Sequence, residues 1–145
     1  ALDGVQDPGN VGTILRTAEA FNCGVILLDG AAEIFNPKVV RSSMGAIFYL
    51  PIIKMSHAEF LNLRGVEILA SAVDSTAEIY YRHDFNKKVA IVFGSEANGV
   101  SKEILDAAKK IFIPMSGHAE SLNVATSAAI IISEAFKLDD KNFLC

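Results

Sequence analysis

The sequence predicts an α/β domain built on a mostly parallel sheet flanked by helices. Short apolar runs, VILLD (25–29), YLPII (49–53), EILASAV (67–73), VAIVF (89–93) and IFI (111–113), alternate with segments of helical periodicity. Parallel neighbours require crossover connections of that kind. The runs also lack the polar alternation of a half-exposed strand, which predicts that helices cover both faces of the sheet. The 145 residues, 51% hydrophobic and 21% charged, suit one packed domain over 1–145, a size that buries about 68–70% of its unfolded surface. The slight apolar excess points to an oligomer interface.

The first helix is expected from the stretch DPGNVGTILR (7–16), where Val11, Ile14, Leu15 and Ala18 recur at the spacing of a buried stripe. Asn10 reads as its N-cap. Arg16 falls outside the stripe and is expected to lean back over Gly12 towards Asn10, with no side chain at Gly12 in its way. FGSEANGVS (93–101) follows the apolar run VAIVF and sets two glycines around Glu96, with Ser101 in position to cap KEILDAAKK. IPMSGHAESLNVATSAA (113–129) runs from a short strand through a polar loop into a last helix, about 122–138, with Ser121 as N-cap. That helix is apolar nearly all round, which requires burial on several sides, within the domain or against a second subunit. The second subunit is the favoured reading.

Composition excludes several classes. No run approaches the 18 or so apolar residues of a membrane-spanning helix, and the greasiest stretch, AAIIISEAF, is interrupted by Ser133 and Glu134. A soluble protein with no membrane partner is expected. The two cysteines, Cys23 and Cys145, lack CxxC spacing, which argues for a reducing, cytoplasmic setting. No basic, apolar-cored leader precedes the first strand and the chain starts inside structure at Ala1, so a missing upstream region is expected. A net charge of −4 argues against a general nucleic-acid-binding surface, so any polyanion must meet a local patch or a neighbouring domain. His57 and His83 read as surface residues and His118 as a lone loop histidine, none with partners for a metal site. GSEAN is not the GxSxG of a serine hydrolase, no GKS or GKT marks a P-loop, and the GxGxxG of dinucleotide oxidoreductases is missing.

Each of the three longer stretches has two readings. NVGTILR is a capped helix start with a solvent-facing arginine, or a guanidinium held to bind a phosphate or a developing oxyanion. FGSEANGVS is a tight strand-to-helix turn, or a loop whose backbone approaches a ligand at the carboxyl edge of the sheet. IPMSGHAESLNVATSAA is another capped helix, or a clasp that closes on a small molecule together with the loop after VAIVF.

In this order and spacing, however, NVGTILRTAEAF, FGSEANGVS and IPMSGHAESLNVATSAA resemble the three motifs of the SpoU (TrmH) family of RNA 2′-O-methyltransferases, in the SPOUT class. NPKVVRSSMGAIFYLP (36–51) resembles the segment the family carries between the first two. The resemblance covers essentially the whole chain as a catalytic domain, without the N-terminal substrate-recognition domain of many members. It implies a C-terminal trefoil knot, a homodimer, S-adenosylmethionine bound in the knot with no metal, and an active site completed across the interface. Carried over by position, Arg16 acts on the ribose 2′-hydroxyl with Asn10 orienting it, and Glu96 supports the site. Ser121 positions the arginine or the RNA, and Asn123 anchors the knot and contributes to the active site. The resemblance places the methyl donor against the backbone of Gly94, Ile113 and Leu122, with Met115 close by. Lys38 and Arg41 are candidates for RNA phosphate contacts. The expected function is methyl transfer from S-adenosylmethionine to a ribose 2′-hydroxyl of structured RNA, rRNA ahead of tRNA. The alternative is a non-catalytic RNA-binding module of the same fold, which loss of motif residues would have favoured.

Overall fold

In the computed structural model, which describes residues 1–136, seven strands form one sheet. They are β1 (Leu2–Asp3), β2 (Val25–Leu27), β3 (Ile52–Lys54), β4 (Glu67–Ser71), β5 (Glu78–Ile79), β6 (Val89–Gly94) and β7 (Lys109–Phe112). Their order across the sheet is β3-β2-β1-β6-β4-β7-β5, and every pairing is parallel. The helices are α1 (Pro8–Ala20), α2 (Pro37–Ser42), α3 (His57–Leu61), α4 (Lys102–Ala107) and α5 (Val124–Ala135).

Successive side chains of a strand leave the sheet on opposite faces, and here each face meets its own helices. Leu2, Leu27, Leu69, Phe93 and Ile111 pack with Val11, Ile14, Leu15 and Ala18 of α1, Val39 of α2 and Ala128 and Ile131 of α5. Their neighbours Leu28, Ala70 and Val92 turn to the other face and pack with Phe60 of α3 and Ile104 of α4. Uninterrupted apolar runs are thus what a sheet buried on both faces requires.

The element boundaries differ from expectation for local reasons. β1 and β5 are two residues long, too short to leave a periodic trace. The run at 49–53 becomes a strand only after Pro51, which lacks an N–H for the ladder; Pro51 instead accepts from the Val25 amide at 2.9 Å, while Tyr49 is exposed. Asn10 does not cap α1. Asp7 does, accepting from the Asn10 amide at 2.8 Å, because Pro8 is suited to the first helical position and starts the helix earlier. Nor does Ser121 cap α5: Asn123 does, its Oδ1 accepting from the amides of Ala125 (2.9 Å) and Thr126 (3.3 Å). Ser101 stands at the N-cap of α4 without a side-chain capping bond. Residues 137 and 138 of the expected last helix, and Cys145, lie outside the described residues.

Gly12 serves packing rather than Arg16. It is buried, and a Cβ there would overlap Ser42 of α2. The Ser42 hydroxyl in turn lies 2.8 Å from the carbonyl oxygen of Pro8 and 2.7 Å from that of Lys38, which draws α2 onto the first turn of α1. Gly12→Ala should therefore cost about 1–3 kcal/mol by overpacking, seen as a lower urea midpoint at unchanged slope. Adding Ser42→Gly should restore part of the loss.

Candidate active site

Ligands of open parallel sheets bind at the carboxyl ends of the strands, and a cavity of about 490 Å³ lies there. Its walls are the segments that leave β4 (Ser71 to Val73), β6 (Gly94 to Val100) and β7 (Ile113, Met115), closed by the entry to α5 from Ser121 to Val124. Val73, Ile113, Met115 and Leu122 give it an apolar lining, and Ser71, Ser95 and Ser121 add hydroxyls.

Two features hold these walls. At the end of β6 the chain folds back on itself, with Ser95 and Gly99 exchanging backbone hydrogen bonds of 3.1 and 2.8 Å. A Cβ on Gly94 would overlap the backbone of Gly99 and Val100, so glycine is what permits the close approach. After β4, the Asp74 carboxylate accepts from the Thr76 hydroxyl (2.6 Å), the Thr76 amide (2.8 Å) and the Lys110 ammonium (3.0 Å). Those bonds, the Thr76 hydroxyl first, hold Asp74 well below the usual carboxylate range.

One side chain joins the three motif stretches. Asn10 Nδ2 donates to Glu96 Oε1, and Asn123 Nδ2 donates to Asn10 Oδ1 at 3.0 Å. The first turn of α1, the loop after β6 and the start of α5 therefore meet at one amide. Of the residues singled out from sequence, Gly94, Glu96, Ile113, Met115, Ser121, Leu122 and Asn123 line this cavity. Asn10 stands behind it, bonded to two of them.

Arg16 is elsewhere. It is exposed, makes no hydrogen bond or ion pair among the described residues, and is not engaged by Asn10. It borders a second hollow of about 580 Å³ with Thr13, Thr17, Met44, Tyr49 and Ala129. Met44, Phe48 and Tyr49 are each at least 75% exposed, bare apolar area of the kind that interaction surfaces carry. Lys38 and Arg41 are exposed on α2 and line neither hollow. His118 is exposed in the loop before α5.

His57 and His83 are not surface residues. His83 is 5% exposed, with Nδ1 3.1 Å from Glu78 and Nε2 3.7 Å from Glu67. The His57 side chain is 17% exposed and lies against Asp3 and Glu103. Their partners are carboxylates on β1, β4, β5 and α4, most of them remote in the chain, so local sequence carried no sign of burial. Among the described residues no group of three or more His, Cys, Asp or Glu is arranged to hold a metal ion, and no helix is long and apolar enough to cross a membrane.

Asn123→Ala removes both the α5 cap and the bond to Asn10 and is expected to cost about 1–2 kcal/mol in denaturant titrations. Asn123→Ser keeps a capping oxygen and should retain more of the stability.

Comparison with known proteins gives a consistent picture. The model of the SpoU rRNA Methylase family matches residues 1–133. The 23S rRNA (guanosine(2553)-2′-O)-methyltransferase RlmP of Bacillus subtilis is 37% identical over 136 residues, 90% of this chain and 54% of that protein. An AdoMet-bound rRNA methyltransferase from Sinorhizobium meliloti superposes with a TM-score of 0.89 at 35% identity, over 93% of this chain and 54% of that one. The TrmH/SpoU tRNA modifying enzyme of A. aeolicus gives 0.82 at 32% identity, over 92% of this chain and 71% of that one. The chain thus spans about half the length of the curated relatives it matches.

Proposed function

Because the chain belongs to the SpoU rRNA Methylase family, we propose that it is the catalytic domain of an S-adenosylmethionine-dependent RNA 2′-O-methyltransferase, with rRNA ahead of tRNA as substrate. The observation that carries this is the cavity at the strand ends, whose walls contain Glu96 and Asn123 tied together through Asn10. Its volume of about 490 Å³ suits a nucleoside-sized ligand, and its mixture of apolar side chains with hydroxyls and loop backbone fits the adenosyl and methionyl parts of the donor. Gly94, Ile113 and Leu122 would hold it through their backbone, with Met115 against it. When bound, S-adenosylmethionine supplies a methyl group already activated by the positive sulfonium.

The chain's own work is then to align the 2′-oxygen and assist loss of its proton. A guanidinium offers donors and no acceptor, so Arg16 is not the base in this scheme. Its guanidinium binds the phosphate next to the target ribose and stabilises the 2′-alkoxide through directed donors. A phosphate oxygen or water takes the proton. Ser121 helps seat the RNA, and Lys38 and Arg41 contact phosphates on the approach.

Arg16 borders the second hollow rather than the cavity, and the bare apolar residues Met44 and Tyr49 line that hollow with it. In the proposed assembly this face meets a second copy, in whose cavity the methyl donor waits, so the active site is completed between subunits. The half-buried Ala129 and Ile130 of α5 belong to that contact. The C-terminal segment after β7 is threaded as a trefoil knot, which a traced crystal structure would check. An acidic domain of this kind binds RNA weakly alone, with steep salt dependence.

Calorimetry with S-adenosylmethionine, followed by mapping of 2′-O-methyl marks in RNA from cells lacking the protein, tests the proposal; donor binding without a missing mark would favour the non-catalytic module. Arg16→Ala and Arg16→Lys should each lower the methyl-transfer rate about 10²–10⁴-fold. A lysine variant as fast as wild type would remove the guanidinium from the mechanism. Met44→Asp combined with Tyr49→Asp should yield monomers in sedimentation velocity and abolish transfer.

A further inference from the structure

Asp3 grips both ends of the loop that walls the cavity. In the β1–β6 ladder it pairs with Gly94, where the loop begins. Its carboxylate Oδ2 accepts the Ser101 amide at 2.6 Å, where the loop ends. The other oxygen, Oδ1, lies 2.8 Å from His57 Nε2, and His57 Nδ1 lies 2.5 Å from Glu103 Oε1 at the start of α4. The Asp3 contact is a hydrogen bond and the Glu103 contact a close ion-pair approach. A carboxylate only accepts, so a ring protonated on both nitrogens suits the two neighbours, whereas a neutral ring sets one bare nitrogen against an oxygen.

Carboxylates from three elements surround this ring. Asp3 comes from β1, Glu103 from α4, and Asp29 from the segment after β2, with Oδ2 3.9 Å from Nδ1 and 3.2 Å from the His57 amide. On α3 itself, the Glu59 carboxylate is turned to the Ser56 amide and hydroxyl, both at 2.8 Å. Among the described residues no lysine or arginine pairs with Asp3, Asp29 or Glu103.

We propose that His57 is a positioning residue for the Gly94–Val100 loop: as an imidazolium shared by Asp3 and Glu103 it keeps the Asp3 carboxylate on the Ser101 amide, and its deprotonation loosens this wall and weakens retention of the methyl donor. The consequence for the donor rests on the cofactor assignment above; the effect on the loop does not. Partial burial disfavours the charged ring, but the hydrogen bond and charge of Asp3, with the charges of Glu103 and Asp29, prevail and raise the His57 pKa above its ordinary 6.5. For a raised pKa the contribution is complete below the ordinary value and disappears as pH climbs through the raised one. Loop order and donor affinity therefore decline with rising pH.

Amide hydrogen exchange of residues 95–101 in the ligand-free protein, expressed as protection factors between about pH 6 and pH 9, reads the loop directly. Wild-type protection should fall several-fold across the His57 titration followed by NMR. His57→Gln should be weakly protected throughout, with no such transition. Glu103→Gln should move the imidazole titration and the protection change together to lower pH. Protection that ignores the His57 titration, or is the same in wild type and both variants, overturns the proposal. In parallel calorimetry, S-adenosylmethionine affinity should weaken with pH more steeply in wild type than in His57→Gln, a comparison in which the ligand's own titration cancels. Equal slopes would overturn the donor effect. Absence of binding by either protein would refute the cofactor assignment, while the exchange data still decide the role of His57.

Discussion

A carboxamide offers a donor and an acceptor a little over two ångströms apart, and the site depends on Asn10 using both. Its Nδ2 goes to Glu96 and its Oδ1 receives Asn123. No other common side chain of that length can satisfy a carboxylate and an amide donor at once without changing its charge. The Asp7 cap fixes the position from which it does so, by holding the Asn10 backbone amide. Asn123 then relays the constraint into α5, where its own carboxamide oxygen caps the helix. Three segments remote in sequence are thereby placed in one geometry before any ligand arrives.

The sheet makes that meeting possible. With all strands parallel, the segments after β4, β6 and β7 emerge at the same edge, and the two helical layers prevent the strands from shifting. Leu69 and Ala70, or Val92 and Phe93, face opposite layers, so a slip of one residue would exchange the two cores. The same alternation sends Leu2 towards α1 and Asp3 towards α3 and α4, which brings a carboxylate behind the loop whose front forms the cavity.

Arg16 and the cavity are separate features of a single chain. An exposed guanidinium that shares a hollow with the bare Met44 and Tyr49 is an unusual surface for an isolated domain, since large apolar side chains gain from burial. A contact that covers those residues would also take the arginine out of bulk water, where directed hydrogen bonds to an anion are stronger. In the proposed assembly the association surface and the surface that carries Arg16 then coincide.

Sequence alone determined the layered parallel architecture, because continuous apolar runs and the α1 stripe are local consequences of burial on particular faces. It also carried the motif stretches, whose Gly94, Glu96, Ile113, Met115, Leu122 and Asn123 do gather at one cavity. Tertiary structure decided the rest. The caps belong to Asp7 and Asn123 because Pro8 and the backbone of the α5 entry set where each helix begins, and Asn10 was left free to join the motifs. Gly12 answers to Ser42, thirty positions away in the chain, and His57 answers to Asp3 and Glu103. Side-chain periodicity reports which way a residue faces; only the folded chain reports what it meets there.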